Sequence, residues 1–164
     1  MPSPAFEPHD HAACVADRVA AAERHCADHG LHFTRVRRRV LEILLGEHKA
    51  MGAYDILARL SADGMGSQPP VAYRALDFLV THGFAHRIER RNAFVACTHE
   101  GKRHAPAFLI CRACDRVVEA GADPLAGELG RAARAAGFAI ERTVREAEGL
   151  CPACREVPDG RAPA

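Results

Sequence analysis

Two pairs of cysteines place the strongest constraint on how this chain can fold: Cys111 and Cys114 in "ICRACDRVVE", and Cys151 and Cys154 in "EGLCPAC". The chain has seven cysteines, an odd number, so a complete internal disulfide framework is impossible. The other three, Cys14, Cys26 and Cys97, are scattered. If each pair were a redox centre it should sit between a strand and a helix, and 164 residues hardly accommodate two such units. The stretch "CPACREVPDG" lacks that context altogether. Paired knuckles explain both motifs at once, because four thiolates arranged tetrahedrally satisfy Zn2+ with no vacant position. The 36 residues between Cys114 and Cys151 exceed a ribbon loop and should fold as an element pinned between the knuckles. Independent redox pairs or incidental spacing are the competing readings.

A chain of 164 residues makes one ordinary domain or two small ones, and a small second domain needs such a staple. Basic residues number 22 against 21 acidic ones, for a net charge of +1, so the chain is not basic enough overall to announce nucleic acid. No apolar run approaches the ~20 residues of a membrane helix, and the polar start "MPSPAFEPHDHAAC" has no signal-peptide pattern. A soluble cytoplasmic protein is expected, with the first dozen or so residues and the tail "PDGRAPA" mobile and His9, His11 and Cys14 without a role.

Residues 13–29 carry Val15, Val19, Ala22 and Cys26 at helical spacing and stop at Gly30, which makes Cys26 a buried apolar residue rather than a ligand. Thr34 can cap a second helix with a Val36, Val40, Ile43, Leu44 stripe, surrounded by Arg35, Arg37, Arg38 and Arg39 and ending at Gly46. "AYDILARLSA" is a third helix; after the breaker-rich "GMGSQPP", a fourth starts at Pro69 or Pro70 and runs to Gly83. The period then changes from helical to alternating: "FAHRIE" and "AFVACT" flank Arg90, Arg91 and Asn92, the outline of a hairpin with a basic tip.

Short helices followed by such a hairpin describe a winged helix-turn-helix, whose last helix enters the major groove. On that helix Leu76, Leu79 and Val80 should face the core, with Tyr73, Arg74 and Asp77 opposite, where Arg74 could donate to a guanine edge or a phosphate. An ordinary solvated face is the bland alternative. Beyond the hairpin, "PAFLIC" and "RVVEAG" read as strands, residues 124–136 as a helix and residues 138–151 as a long alternating strand. Such a small sheet leaves edges and an apolar face that a second copy would cover.

His86, Cys97, His104 and Glu119 straddle the junction of the two halves. Any one of them could be an ordinary surface residue, yet a thiolate, two imidazoles and a carboxylate make a full tetrahedral set.

At this point the chain resembles the ferric uptake regulator family, in its zinc-sensing branch, over roughly residues 15–157. The resemblance is carried by "AYDIL", "YRALDFLVTHGFAHRIE", "NAFVAC", "FLICRAC" and "EGLCPAC". It implies a dimeric, metal-dependent repressor, with structural zinc on Cys111, Cys114, Cys151 and Cys154 and sensing zinc on His86, Cys97, His104 and Glu119. It places DNA contacts on Tyr54 and Arg74, to which the exposed faces of the helices add Tyr73 and Arg37. Iron-sensing relatives carry a His-rich run before the first knuckle, where this chain has only "THEGKRHAP", and the thiolate of Cys97 favours Zn2+ over Fe2+. Two positions depart from the family pattern: Arg35 replaces a proline at the start of the second helix, and Val71 replaces a threonine ahead of Tyr73 and Arg74.

The expected fold class is therefore α+β: an N-terminal winged helix-turn-helix DNA-binding domain (1–98), a hinge (99–104) and a small α/β dimerisation domain (105–164) with a Zn(Cys)4 site. The expected function is zinc-responsive repression of zinc-uptake genes by a homodimer on double-stranded operator DNA, with two Zn2+ per subunit, one structural and one regulatory. No catalytic residue, membrane or small-molecule substrate is expected. Sensing of iron, manganese or peroxide on the same fold, and more remotely a thiol oxidoreductase, are the alternatives.

Overall fold

The computed structural model describes residues 11–47, 49–98, 106–121 and 127–157. The expected hinge at 99–104 with His104, most of the expected mobile start, and the tail from 158 onward lie outside the described residues. The chain divides into two compact units, residues 1–101 and 102–164.

The first unit runs α1 (His11–Asp28), α2 (Arg35–Leu45), β1 (Met51–Gly52), α3 (Ala53–Ala62), α4 (Pro69–Thr81), β2 (Ala85–Ile88) and β3 (Ala93–Ala96). It is the winged helix-turn-helix that the change of period predicts. Helix α1 already includes His11 and Cys14, which corrects the expected mobile start; alanine, the best helix former, recurs through "HAACVADRVAAAERHCAD". The hydroxyl of Thr34 caps α2 by accepting from the Arg37 N–H at 3.3 Å. On the charged flank, Arg38 pairs with Glu23 and Glu42, and Arg39 with Glu42 and Asp63. Exposed pairs of this kind stabilise by about 0–1 kcal/mol each, so they orient α2 rather than hold the unit together.

The core does that. Val40, Leu44, Ile56, Leu60, Leu76 and Leu79 are essentially inaccessible to solvent and belong to one apolar cluster shared by α2, α3 and α4. Helix α4 buries Ala72, Ala75, Leu76 and Leu79. Val80, expected to face the core, is instead 37% exposed. It lies one residue, about 100° around the helix, past Leu79, off the edge of the buried stripe.

At the end of α4, Gly83 adopts φ +77° and the Phe84 N–H returns to the Leu79 carbonyl at 2.8 Å. A side chain is disfavoured in that left-handed conformation, and the turn delivers the chain directly into β2. Strands β2 and β3 pair antiparallel, His86 opposite Val95, and β1 adds to the other side of β3 to give the order β1-β3-β2. Two residues carry no readable period, so β1 was not foreseeable from local pattern.

The second unit contains β4 (Pro106–Cys111), β5 (Val117–Gly121), α5 (Glu128–Ala135), β6 (Glu146–Gly149) and a single-turn α6 (Pro152–Arg155). Its sheet order is β5-β4-β6, with β5 antiparallel and β6 parallel to β4. The long strand expected over 138–151 shrinks to the four residues of β6, and 138–145 form no ladder. Alternation permits a strand but does not supply a partner, and Phe138 and Val144 on this segment remain exposed. The helix expected over 124–136 is likewise shorter among the described residues, at Glu128–Ala135.

This burial pattern gives a contrast that denaturant titration can measure. Leu76→Ala removes a fully buried side chain and should cost about 2–5 kcal/mol, whereas Val80→Ala, one turn along but at the surface, should stay within about 0.5 kcal/mol.

Candidate metal centres and nucleic-acid interface

The first CxxC forms the turn between β4 and β5, and the second follows β6 into α6. Because β6 runs parallel to β4, with Gly149 opposite Cys111, both knuckles reach the same end of the sheet. The Arg112 N–H bonds the Gly149 carbonyl at 2.9 Å and the Asp115 N–H bonds the Cys111 carbonyl at 3.0 Å, with Asp115 at φ +60° closing the turn.

The sulfurs of Cys111, Cys114, Cys151 and Cys154 lie within 4.8 Å of one another. The Cys114–Cys151 separation is 3.8 Å, which is the edge of a tetrahedron whose centre lies ~2.3 Å from each vertex, the Zn–S bond length. Cys111, Cys151 and Cys154 are buried. The donor chemistry and spacing thus fit Zn2+ in a closed structural site.

The thiols are unequal. Burial pushes the Cys111 thiol up, but N–H groups of Cys151, Cys114 and Ala113 directed at its sulfur outweigh this and bring it down to about 6. The Cys151 N–H contact is 3.3 Å. Burial raises Cys114. Burial and then the sulfurs of Cys151, Cys114 and Cys111 push Cys154 up to about 12. Four thiolates this close repel one another, so only a cation at the centre allows all of them to ionise.

Of the second predicted set, the first unit brings two members together. His86 on β2 is paired with Val95, and Cys97 stands two residues beyond Val95 on the same side of the hairpin. A ring nitrogen of His86 and the Cys97 sulfur lie within 4.8 Å. Cys97 is buried and its N–H donates to the Phe84 carbonyl at 3.0 Å. Glu119 is on β5 of the second unit, opposite Phe108, and is half-buried. His104 lies outside the described residues. Sequence reasoning passed over one side chain here: Arg18 of α1 donates to the carbonyls of Cys97, at 3.3 Å, and Thr98.

The residues predicted to meet DNA divide in two. Tyr73, Arg74 and Asp77 are exposed on α4, and Tyr54 in the first turn of α3 is 69% exposed. Arg37 is half-buried: its guanidinium lies 3.7 Å from the Phe78 ring centroid and donates to the His32 carbonyl, fastening α2 to α4. Val71 packs at the start of α4 beside Gly66, whose φ of +117° and whose missing side chain leave room; a Cβ there would stand 3.2 Å from a Val71 methyl.

A winged helix-turn-helix unit followed by a small α/β unit with a four-thiolate zinc-type site has the build of a metal-dependent transcription regulator. The chain belongs to the Ferric uptake regulator family, whose sequence profile matches residues 28–145. It is 38% identical over 146 residues to the zinc uptake regulation protein of Escherichia coli K12, covering 88% of this chain and 85% of that one. Among solved structures it is similar to a zinc uptake regulator complexed with zinc and DNA, at TM-score 0.81 and 36% identity over 87% of this chain and 95% of that one. It is also similar to holo XcZur, at TM-score 0.76 and 38% identity over 85% and 97% of the two chains.

Cys111→Ser should abolish tight zinc binding at the knuckles and lower stability sharply, since the energy of metal binding there is also folding energy; native mass spectrometry and melting curves report both. The thiol shifts also fix the sign of a pH effect. At neutral pH Cys114 and Cys154 are protonated in the metal-free unit, so zinc must displace their protons, and its affinity should fall as pH falls and fall more steeply below about 6, where Cys111 protonates too. Calorimetry in two buffers of different ionisation enthalpy should register at least two protons released per zinc at pH 7.

Proposed function

We propose that this protein is a zinc-responsive transcriptional repressor whose zinc-loaded homodimer binds double-stranded operator DNA and represses zinc-uptake genes. The observation that carries this reading is the pairing of His86 with the thiol of Cys97 on the hairpin that follows the outward-facing helix α4. Soft sulfur beside imidazole is a donor set for zinc, whereas iron and manganese sensors call for harder, oxygen-rich sites. The relatives named above, one a zinc uptake regulation protein and one solved with zinc and DNA, support the same conclusion.

The chain binds two zinc ions per subunit. Cys111, Cys114, Cys151 and Cys154 hold the structural one. His86, Cys97, His104 and Glu119 hold the regulatory one, which supplies a cross-link between a winged-helix domain (1–98) and an α/β domain (105–164) across a hinge at 99–104. Donors drawn from both domains restrict the hinge, and restricting it raises the fraction of dimers whose two α4 helices match the spacing of successive major grooves. Coupling is reciprocal, so operator DNA tightens zinc binding by the same factor.

On the DNA side, Arg74 reaches a guanine edge in the major groove, Tyr73 and Tyr54 meet the flanking backbone, and Arg37 steadies α4 from behind while its remaining N–H groups reach toward phosphate. In the α/β domain, exposed Leu109, Phe138 and Val144 beside an open three-stranded sheet form the surface that a second copy covers.

Operator titration at buffered free zinc tests the reading. Cys97→Ser should stay a folded dimer with its structural zinc yet need at least about tenfold more free zinc to bind operator. A response at the wild-type zinc concentration would remove Cys97 from the sensor. Arg74→Ala should cost about 1–3 kcal/mol against the cognate operator and relax preference at one base position; a uniform loss across sequences would make Arg74 a phosphate contact instead.

A further inference from the structure

Strand β3 ends at Ala96, so the hydrogen-bond ladder that fixes the hairpin stops one residue before Cys97. The Cys97 N–H is still held, by the Phe84 carbonyl at 3.0 Å. Its carbonyl lies past the last ladder pair, Ala85 with Ala96. Arg18, 79 residues earlier on α1, meets it there: one guanidinium nitrogen donates to the Cys97 carbonyl at 3.3 Å and the other to the Thr98 carbonyl. The next residue of α1, Val19, is buried in the core of the unit, so the arginine is presented from a fixed support.

We infer that Arg18 is a positioning residue for the sensing site: its fork across two successive carbonyls fixes the backbone on the C-terminal side of Cys97 and so aims the sulfur at the metal. This inference rests on the reading of Cys97 as a zinc ligand. Both peptides flanking the Cys97 Cα are restrained, and an ion that must find four donors at ~2.0–2.3 Å loses less entropy when each is held in advance. The guanidinium is suited to this role because it is planar, permanently charged and able to bond two acceptors at once. Its charge acts in the opposite sense, since a cation near Zn2+ repels it. The two contributions therefore predict opposite signs when Arg18 is replaced, and that makes the proposal decidable.

The experiment uses the full-length dimer with its structural zinc retained and measures sensing-site zinc affinity by competition with a chelator. Arg18→Met keeps the apolar stem but removes every donor, and Arg18→Lys keeps the charge while losing the fork. We expect Arg18→Met to weaken zinc on the order of tenfold and Arg18→Lys, which loses the fork but keeps the repelling charge, to weaken it by at least as much, with metal content at the four cysteines unchanged. Cobalt bound in place of zinc should show a weaker thiolate-to-metal charge-transfer band in Arg18→Met, a signature that loss of helix docking alone would not produce. In a Cys97→Ser background Arg18→Met should add nothing. Unchanged affinity, with Cys97→Ser still impaired, overturns the positioning role alone; tighter zinc shows charge repulsion to dominate and overturns it as well. If Cys97→Ser itself leaves zinc affinity intact, the sensing-site reading fails and takes this inference with it. Should Arg18→Met not fold, Arg18→Lys and the cobalt band of its sensing site decide the matter.

Discussion

Parallel pairing of β6 with β4 is the contact on which the second unit depends. An antiparallel return would have carried Cys151 and Cys154 to the far end of the sheet from Cys111 and Cys114. Parallel strands need a long crossover, and the stretch between the knuckles, with β5 and α5 in it, provides one. Only four residue pairs hold β6 in place, from Phe108 opposite Glu146 to Cys111 opposite Gly149. So short a ladder on so small a core is marginal alone. The four sulfurs close the same end of the sheet, and the metal they suit ties the strand ends together just beyond the last ladder pair.

The first unit needs no such staple because α2, α3 and α4 share a continuous apolar cluster. Its consequence for function lies in how α4 is connected. Leu79 sits in the core, Phe84 packs against it, and the Phe84 N–H and carbonyl bond the Leu79 carbonyl and the Cys97 N–H respectively. A helix that presents Tyr73 and Arg74 outward is thereby joined, through one residue, to the hairpin that carries His86 and Cys97. Rigid connections of this kind let a change at a ligand site be felt at a distant surface, provided the element has two arrangements to choose between.

The two positions that depart from the family pattern are absorbed locally. Arg35 begins α2 where proline would be preorganised, but the Thr34 hydroxyl still caps the helix, and a cation at that end costs only about a few tenths of a kcal/mol. Val71 turns its methyl groups toward Gly66, filling space beside the loop rather than offering a hydroxyl. The neighbouring Arg37 contributes more to the interior than its exposed, basic surroundings in the sequence suggest, through its stacking on Phe78.

Much of this protein was legible in its sequence, and for identifiable reasons. Hydrophobic period marks α2, α3 and α4 and the two hairpin strands; the hydroxyl of Thr34 and the glycine at 83 mark a helix start and a helix end; the spacing of the four cysteines indicates one closed site. Each of these is a local property, written within a few residues by side-chain shape and hydrogen-bonding capacity. What was missed depends on partners distant in the chain. Two residues became β1 because β3 had an open edge, residues 138–145 joined no ladder among the described residues although the Arg145 carbonyl accepts from the Phe108 N–H, Val80 fell just outside a buried stripe, and Arg37 and the unremarked Arg18 became ties between elements. Local pattern states what a segment can become, whereas packing and pairing across many residues of intervening chain select which edge is filled, which face is buried and which carbonyl an arginine reaches.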